Sequence, residues 1–260
     1  MRILISNDDG ILAPGLAALV NAVKDLGEVT VVAPDSHQSA ASQAITVFHP
    51  LTVHRVRIEG AEGFTGFSVD GRPADCVRLA IRKMLPEPPD LVLSGINAGA
   101  NVGAHVSYSG TVAAAAEARL CGIPAVAFSA CMASGEVDFP NAASFCRMVL
   151  DRLLQAGLNG QDLINVNIPD ESLGEPRGVR VVPQSPADLE EVYHKVSEHD
   201  GCEIYELRDF QFAPGEADND VDSIAAGFIS VTPLIVDRTC HPRLESLSEC
   251  DFGGITRVQN

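Results

Sequence analysis

The stretch Arg2-Ile3-Leu4-Ile5-Ser6-Asn7-Asp8-Asp9-Gly10 decides how this chain reads. Its first half is a short apolar run of the kind that forms a strand buried on both faces, and it ends in turn residues. Pro14 then suits the first turn of a helix. Leu16, Leu19, Val20 and Val23 recur at helical spacing, and Gly27 stops the helix. Val29-Thr30-Val31-Val32-Ala33 is a second buried strand, broken by Pro34. Strand, helix and strand make a βαβ unit, which predicts a parallel sheet with a right-handed crossover.

The alternation continues outward from that unit. A polar loop, Asp35 to Ser42, follows the second strand. Short β-like runs are expected at Ile45–Phe48, Leu51–Val56 and Phe64–Val69, and Pro73 opens a helix carrying Val77, Leu79 and Ile81. Asp90-Leu91-Val92-Leu93-Ser94 predicts a third core strand, followed by a loop rich in Gly and Asn from Gly95 to Gly103. Val112 and the four alanines after it favour a helix. Ala125–Ser129 and Leu163–Ile168 are expected as strands, with an amphipathic helix from Ala142 to Leu154 between them. This pattern predicts a three-layer α/β fold with a mostly parallel sheet. The whole chain, 1–260, reads as one domain, with a core over about residues 1–170 and an arm with a return strand over about 171–260. Within the latter, the polar, acidic stretch 184–226 is expected to leave the core as an arm, hairpin or subunit contact, and Phe228–Thr232 to return to it.

With 18 Lys+Arg against 35 Asp+Glu the net charge is −17. Such a field disfavours nucleic-acid polymers and anionic membranes as partners. Hydrophobic residues at 46% and charged residues at 20% are the balance of a soluble folded protein. The apolar run at the N-terminus is too short for a signal peptide, and no run reaches transmembrane length. The seven cysteines are scattered without a CxxC pair, as in a reducing compartment. A cytoplasmic location is therefore expected.

Ligands of open parallel sheets bind outside the carboxyl ends of the strands. The first strand delivers Asp8 and Asp9 there, the second Ser39, and the third Asn97 and Asn101. Carboxylate, hydroxyl and amide oxygens suit Mg²⁺, Mn²⁺ or Ca²⁺ and do not suit zinc or copper. An Asp pair after a strand can equally be a helix cap. Ser109-Gly110-Thr111 precedes the alanine-rich helix, whose N-terminus offers unpaired N–H groups and partial positive charge to a phosphate-sized anion; an ordinary Ser or Thr cap is the plainer alternative. A bound dication beside that helix end would hold phosphate without a lysine cluster. Neither GxxxxGK[ST] nor GxGxxG occurs, and Ser129 lacks a GxSxG elbow. His37 and His105 lie in or near these loops, where either could reach a substrate, and the plainer reading of each is a surface histidine.

Taken together, Asn7-Asp8-Asp9-Gly10, Pro73-Ala74-Asp75-Cys76-Val77, Ser94-Gly95-Ile96-Asn97 with Asn101, Tyr108-Ser109-Gly110-Thr111-Val112 and Gly227–Leu234 resemble, in order, the motifs of the SurE family, the survival-protein-E 5′-nucleotidases. The resemblance implies a Rossmann-like core, a C-terminal extension used for oligomerisation, and a homodimer or homotetramer. It implies a metal-dependent phosphatase acting on nucleoside 5′-monophosphates, with Mg²⁺ or Mn²⁺ held by Asp8, Asp9, Ser39 and Asn97. Asn101, Ser109, Gly110 and Thr111 carry over as phosphate-site residues. Of the two catalytic carboxylates, Asp8 and Asp9, either is also expected to handle the proton transfer. Whether water or Asp8 attacks phosphorus stays open, as do base preference and the cleavage of 3′-nucleotides and polyphosphate. The chain departs from the family at Ala104-His105, where many members carry an acid, and at Asn219-Asp220, where Thr-Asp is usual. A non-catalytic module binding a nucleotide or phosphometabolite is the alternative from another class.

Overall fold

The computed structural model describes residues 1–132, 135–186, 189–212 and 218–250. The elements run in the order β1 (Arg2–Ser6), α1 (Pro14–Val23), β2 (Glu28–Pro34), β3 (Val53–Arg57), β4 (Thr65–Val69) and α2 (Pro73–Leu79). A π-helical turn, Ala80–Met84, extends α2. Then come β5 (Leu91–Ala98), a 3₁₀ turn Gly103–Ser107, α3 (Gly110–Leu120), β6 (Ala125–Ala130), α4 (Phe139–Ala156) and β7 (Leu163–Ile168). The last third holds β8 (Val179–Val181), β9 (Leu189–His199), β10 (Cys202–Phe212), α5 (Asp220–Ala225), β11 (Ile229–Pro233) and α6 (His241–Ser248).

The main sheet has the order β3-β4-β2-β1-β5-β6-β7-β11-β8. The run from β4 to β7 is parallel, whereas β3 and β11 enter antiparallel to their neighbours β4 and β7. The chain starts at β1 in the middle, builds one way through β2, then crosses back to β5 and builds the other way. The loops after β1 and β5 therefore diverge, and a crevice opens at that switch point.

Alternating side chains separate two apolar layers, as the period of a strand requires. Ile3, Ile5, Leu93 and Phe128 pack with Leu16, Leu19 and Val20 of α1 and Leu150 of α4. Leu4, Val92 and Ala127 pack on the opposite face with Val77 of α2 and Ala114, Ala115 and Ala118 of α3. The alanines let α3 lie close against the sheet. No helix among the described residues is long and apolar enough to cross a membrane.

The α/β class and the mostly parallel sheet agree with the sequence reading, and four details differ. Ile45–Phe48 is not a strand. The carboxylate of Asp75 takes the Thr46 N–H (2.9 and 3.1 Å) and hydroxyl (2.7 Å), so that donor cannot join a ladder, and Phe48 is 91% exposed. The third core strand does not end at Ser94 but runs to Ala98, with an irregularity between Ser94 and Asn97. Gly95 permits this at φ +129°, since a Cβ there would sit 2.3 Å from the Phe128 carbonyl oxygen. Within the stretch 184–226, part of which lies outside the described residues, β9 and β10 do form a hairpin with no further strand. Its final residues, however, form α5 and tuck back, burying Asp220 completely. The short elements β8 and α6 carry too little periodicity to be read from sequence.

Phe128 is the largest fully buried side chain. Phe128→Ala is expected to cost about 3–5 kcal/mol, read as a lower midpoint in urea with an unchanged slope.

Candidate active site

At the tip of β1 the side chain of Asn7 closes the turn, donating to the Gly10 carbonyl (2.9 Å) and accepting its N–H (3.2 Å). That turn aims Asp8 and Asp9 at the crevice. The Gln38 N–H donates to the Asp8 carbonyl (2.8 Å), which ties the loop after β2 to the one after β1. Asp8, Asp9, Ser39, Asn97, Asn101 and Ser109 all line one cavity of about 690 Å³. This is within the range of small-molecule sites.

Asp8 is buried, and the Thr111 hydroxyl donates to its Oδ1 at 2.5 Å. Gly110 lies against the same side chain; a Cβ at Gly110 would meet the Asp8 Cβ at 2.7 Å and Oδ2 at 2.9 Å. The N-terminus of α3 is thus seated directly on the carboxylate. Burial pushes the Asp8 carboxyl up to about 6; the Thr111 bond opposes the rise and the Asp9 charge adds to it. Burial also raises Asp9, against the pull of the Ala98 N–H, which donates to Oδ2 at 3.3 Å, and of His37, whose Nδ1 is 3.1 Å from Oδ1.

The other donors are equally constrained. The Asn97 amide nitrogen is committed to the Gly99 carbonyl (2.7 Å), which leaves its amide oxygen as the atom for a cation. The Ser39 hydroxyl contacts His37 Nε2. Ser109 caps α3, accepting the Val112 N–H at 3.1 Å, so its own hydrogen is available to an anion. Asn101 donates its backbone N–H to Asn167 Oδ1 (2.8 Å), and its carbonyl accepts from Asn165 (2.8 Å) and Asn167 (3.2 Å). Its side-chain nitrogen donates to Ser129 (2.8 Å).

Of the residues expected at a phosphate site, Asn101 and Ser109 face the cavity, and Gly110 and Thr111 stand behind it. Thr111 is fully buried, and its hydroxyl serves Asp8. Sequence reasoning missed several others. Tyr108, Met132, Tyr193 and Leu207 add aromatic and apolar surface to the cavity, the last two as a cross-strand pair of the β9–β10 hairpin. Asp220 accepts the N–H groups of Gly103 (3.0 Å), Ser185 (2.7 Å) and Val221 (2.9 Å), and so anchors the loop that carries Asn101. The Asn219-Asp220 pair stood out in the sequence only as a departure from the family pattern.

The donor set tests whether a dication fits. Among the described residues no Lys or Arg lines the cavity, while two adjacent carboxylates, a hydroxyl and an amide oxygen converge there. Such an all-oxygen, net-negative group matches a hard cation.

A family model described as "Survival protein SurE" matches residues 3–191. The chain is 41% identical to a protein named 5′-nucleotidase SurE from Pseudoalteromonas atlantica over 255 residues, covering 96% of this chain and 98% of that one. It is 41% identical to the 5′-nucleotidase SurE of Vibrio cholerae over 252 residues, covering 95% and 96%. Among solved structures, the SurE protein of Aquifex aeolicus superimposes with a TM-score of 0.82 at 37% identity, covering 95% of this chain and 98% of that one.

Two outcomes follow from the geometry around Asp8. Gly110→Ala should leave the fold intact by circular dichroism yet displace the Asp8 carboxylate, lowering divalent-cation affinity at least about 10-fold by calorimetry. The raised Asp8 value also has a sign. Between about pH 4 and 6 the unfolded chain has released this proton and the folded chain keeps it, so stability from this group falls as pH rises. In EDTA at pH 8, Asp8→Asn should therefore unfold at higher urea than the wild type, by about 1–3 kcal/mol, with the gap closing toward pH 4.

Proposed function

The chain belongs to the survival protein SurE family, and from that membership we propose that it is a metal-dependent 5′-nucleotidase, hydrolysing nucleoside 5′-monophosphates to nucleoside and phosphate. The observation that carries this reading is the seating of the α3 N-terminus, capped by Ser109, on Asp8, with Asp9 lining the same cavity. Acidic oxygens for a cation and partial positive charge for an anion stand side by side there.

Asp8, Asp9, Ser39 and Asn97 would hold Mg²⁺ or Mn²⁺, which when bound supplies charge neutralisation at the phosphoryl group and activation of water. The Thr111 hydroxyl keeps Asp8 turned toward the cavity. The Ser109 hydroxyl, the α3 N-terminus and Asn101 bind phosphoryl oxygens and orient the ester for in-line attack. One carboxylate of the Asp8–Asp9 pair takes up the proton of the attacking water. A bond forms from water oxygen to phosphorus as the bond from phosphorus to the sugar oxygen breaks, and the leaving oxygen takes its proton from solvent water. Tyr108, Met132, Tyr193 and Leu207 offer the apolar and aromatic surface that a nucleoside needs.

The β9–β10 hairpin is a separate two-stranded sheet that exposes Val192, Tyr193, Val196, Ile204 and Tyr205. An isolated hairpin with apolar faces is marginal in water, which supports its use as a subunit contact in a homodimer or homotetramer. A cytoplasmic setting is part of the same proposal.

The test is an assay with AMP, other 5′- and 3′-mononucleotides, polyphosphate and p-nitrophenyl phosphate, with Mg²⁺ or Mn²⁺ and then with EDTA. Turnover of 5′-mononucleotides that disappears on chelation, and falls at least about 10³-fold in Asp8→Asn, is the expected result. Nucleotide binding without turnover would assign a binding module instead, and turnover indifferent to EDTA would remove the cation from the mechanism.

A further inference from the structure

His37 is 61% exposed at its side chain, yet both its ring nitrogens are engaged, and each engages a different oxygen donor of the site. Nδ1 lies 3.1 Å from Asp9 Oδ1, and Nε2 contacts the Ser39 hydroxyl. We propose that His37 is a positioning residue that couples Ser39 to Asp9 and turns the Ser39 oxygen lone pairs toward the cation. This rests on the reading that a divalent cation sits among Asp8, Asp9, Ser39 and Asn97.

The hydrogen-bond inventory sets the direction of the chain. An ionised carboxylate only accepts, so the ring hydrogen on Nδ1 goes to Asp9. In the neutral ring Nε2 is then the acceptor, and the only hydrogen the Ser39 side chain has to give it is the hydroxyl proton. A serine hydroxyl carries one donor and two lone pairs. With the donor spent on the imidazole, what faces the cavity is lone pair. Without His37 the hydroxyl rotates freely, and in part of its orientations its hydrogen points at a bound cation.

The surroundings are already arranged for such a relay. Oδ2 of Asp9 is held by the Ala98 N–H at 3.3 Å, so His37 completes the fixation of that carboxylate from its other oxygen. The loop carrying His37 and Ser39 is tied to the Asp8 carbonyl through the Gln38 N–H at 2.8 Å. The residue therefore links the loops after β1 and β2. Groups that orient metal ligands from behind change affinity by about 10–100-fold when removed.

A double-mutant cycle on the full-length protein separates this role from general structural support. Binding of Mg²⁺ and of Mn²⁺ is measured by titration calorimetry for wild type, His37→Ala, His37→Phe, Ser39→Ala and the pair His37→Ala with Ser39→Ala. The expected result is a loss of about 10–100-fold for His37→Ala. His37→Phe, which keeps the ring volume and removes both nitrogens, should lose as much, and it carries the test if the alanine variant folds poorly. In the Ser39→Ala background, His37→Ala should cost less than about a third of its cost in wild type, because most of its effect runs through the hydroxyl. Fully additive losses, or His37 variants that bind within about twofold of wild type, would overturn the inference and leave the cation site standing. Absence of cation binding by wild type itself would overturn the cation reading and this inference together.

Discussion

Everything at the site depends on how closely the first turn of α3 approaches the tip of β1. That approach is possible because Gly110 has no side chain: a Cβ would meet Asp8 at 2.7 Å. It is fastened by the Thr111 hydroxyl on Asp8. The alanines at 114, 115 and 118 extend the same economy along the helix and keep its axis near the sheet. Two opposite electrostatic features are consequently brought together. The helix N-terminus presents unpaired N–H groups and about half a positive charge, and Asp8 and Asp9 present carboxylates. Neither would be unusual alone; their adjacency makes the place suited to a phosphoryl group bridged to a cation.

The far wall of the crevice is built on a different principle. Asn101 makes no use of a helix terminus; its backbone is clamped by Asn165 and Asn167 and its side chain by Ser129. These partners stand on β6 and β7, inside the fold, so the loop from Gly99 to Gly103 is held as firmly as a strand. Asp220 fixes the end of the same loop from α5. A connected buried polar network is stiff, because loosening any member strands a polar group away from water; only the Asn165 amide oxygen in this cluster has no partner among the described residues. Residues more than a hundred positions apart in the chain thereby set the position of one amide.

The central layers were legible because they obey one rule: apolar runs ending in polar loops, alternating with helical periodicity. Ile3 to Ile5 and Leu91 to Leu93 could hardly read otherwise. The gathering of Asp8, Asp9, Ser39 and Asn97 at one cavity was legible for the same reason, since each follows such a run and the topology carries it to one edge. What failed depended on contacts between distant residues. Ile45–Phe48 has the composition of a strand, but Asp75 intercepts its backbone. Thr111 looked like an anion donor, and only the packing of α3 on β1 turns its hydroxyl to Asp8. Tyr193 and Leu207 reach the cavity through the register of a hairpin, which no local pattern specifies.

The protein's charge closes the argument. A net charge of −17 opposes the approach of a nucleotide, and among the described residues no Lys or Arg lines the cavity to compensate. Recognition of phosphate must then come from fixed dipoles and from whatever positive charge the carboxylates recruit. The helix terminus is permanent, but it is worth only about 0.3–1 kcal/mol to about 2 kcal/mol for a partly buried anion. A dication in contact with phosphoryl oxygen, in surroundings of lowered dielectric, contributes several times more. The proposed site would therefore be nearly closed to its substrate until a cation had entered. Cation and nucleotide would bind as linked events, each raising the affinity for the other by the same factor. An acidic surface is in this sense compatible with phosphate chemistry: it disfavours free anions everywhere except where the fold has gathered acids to hold a counter-charge.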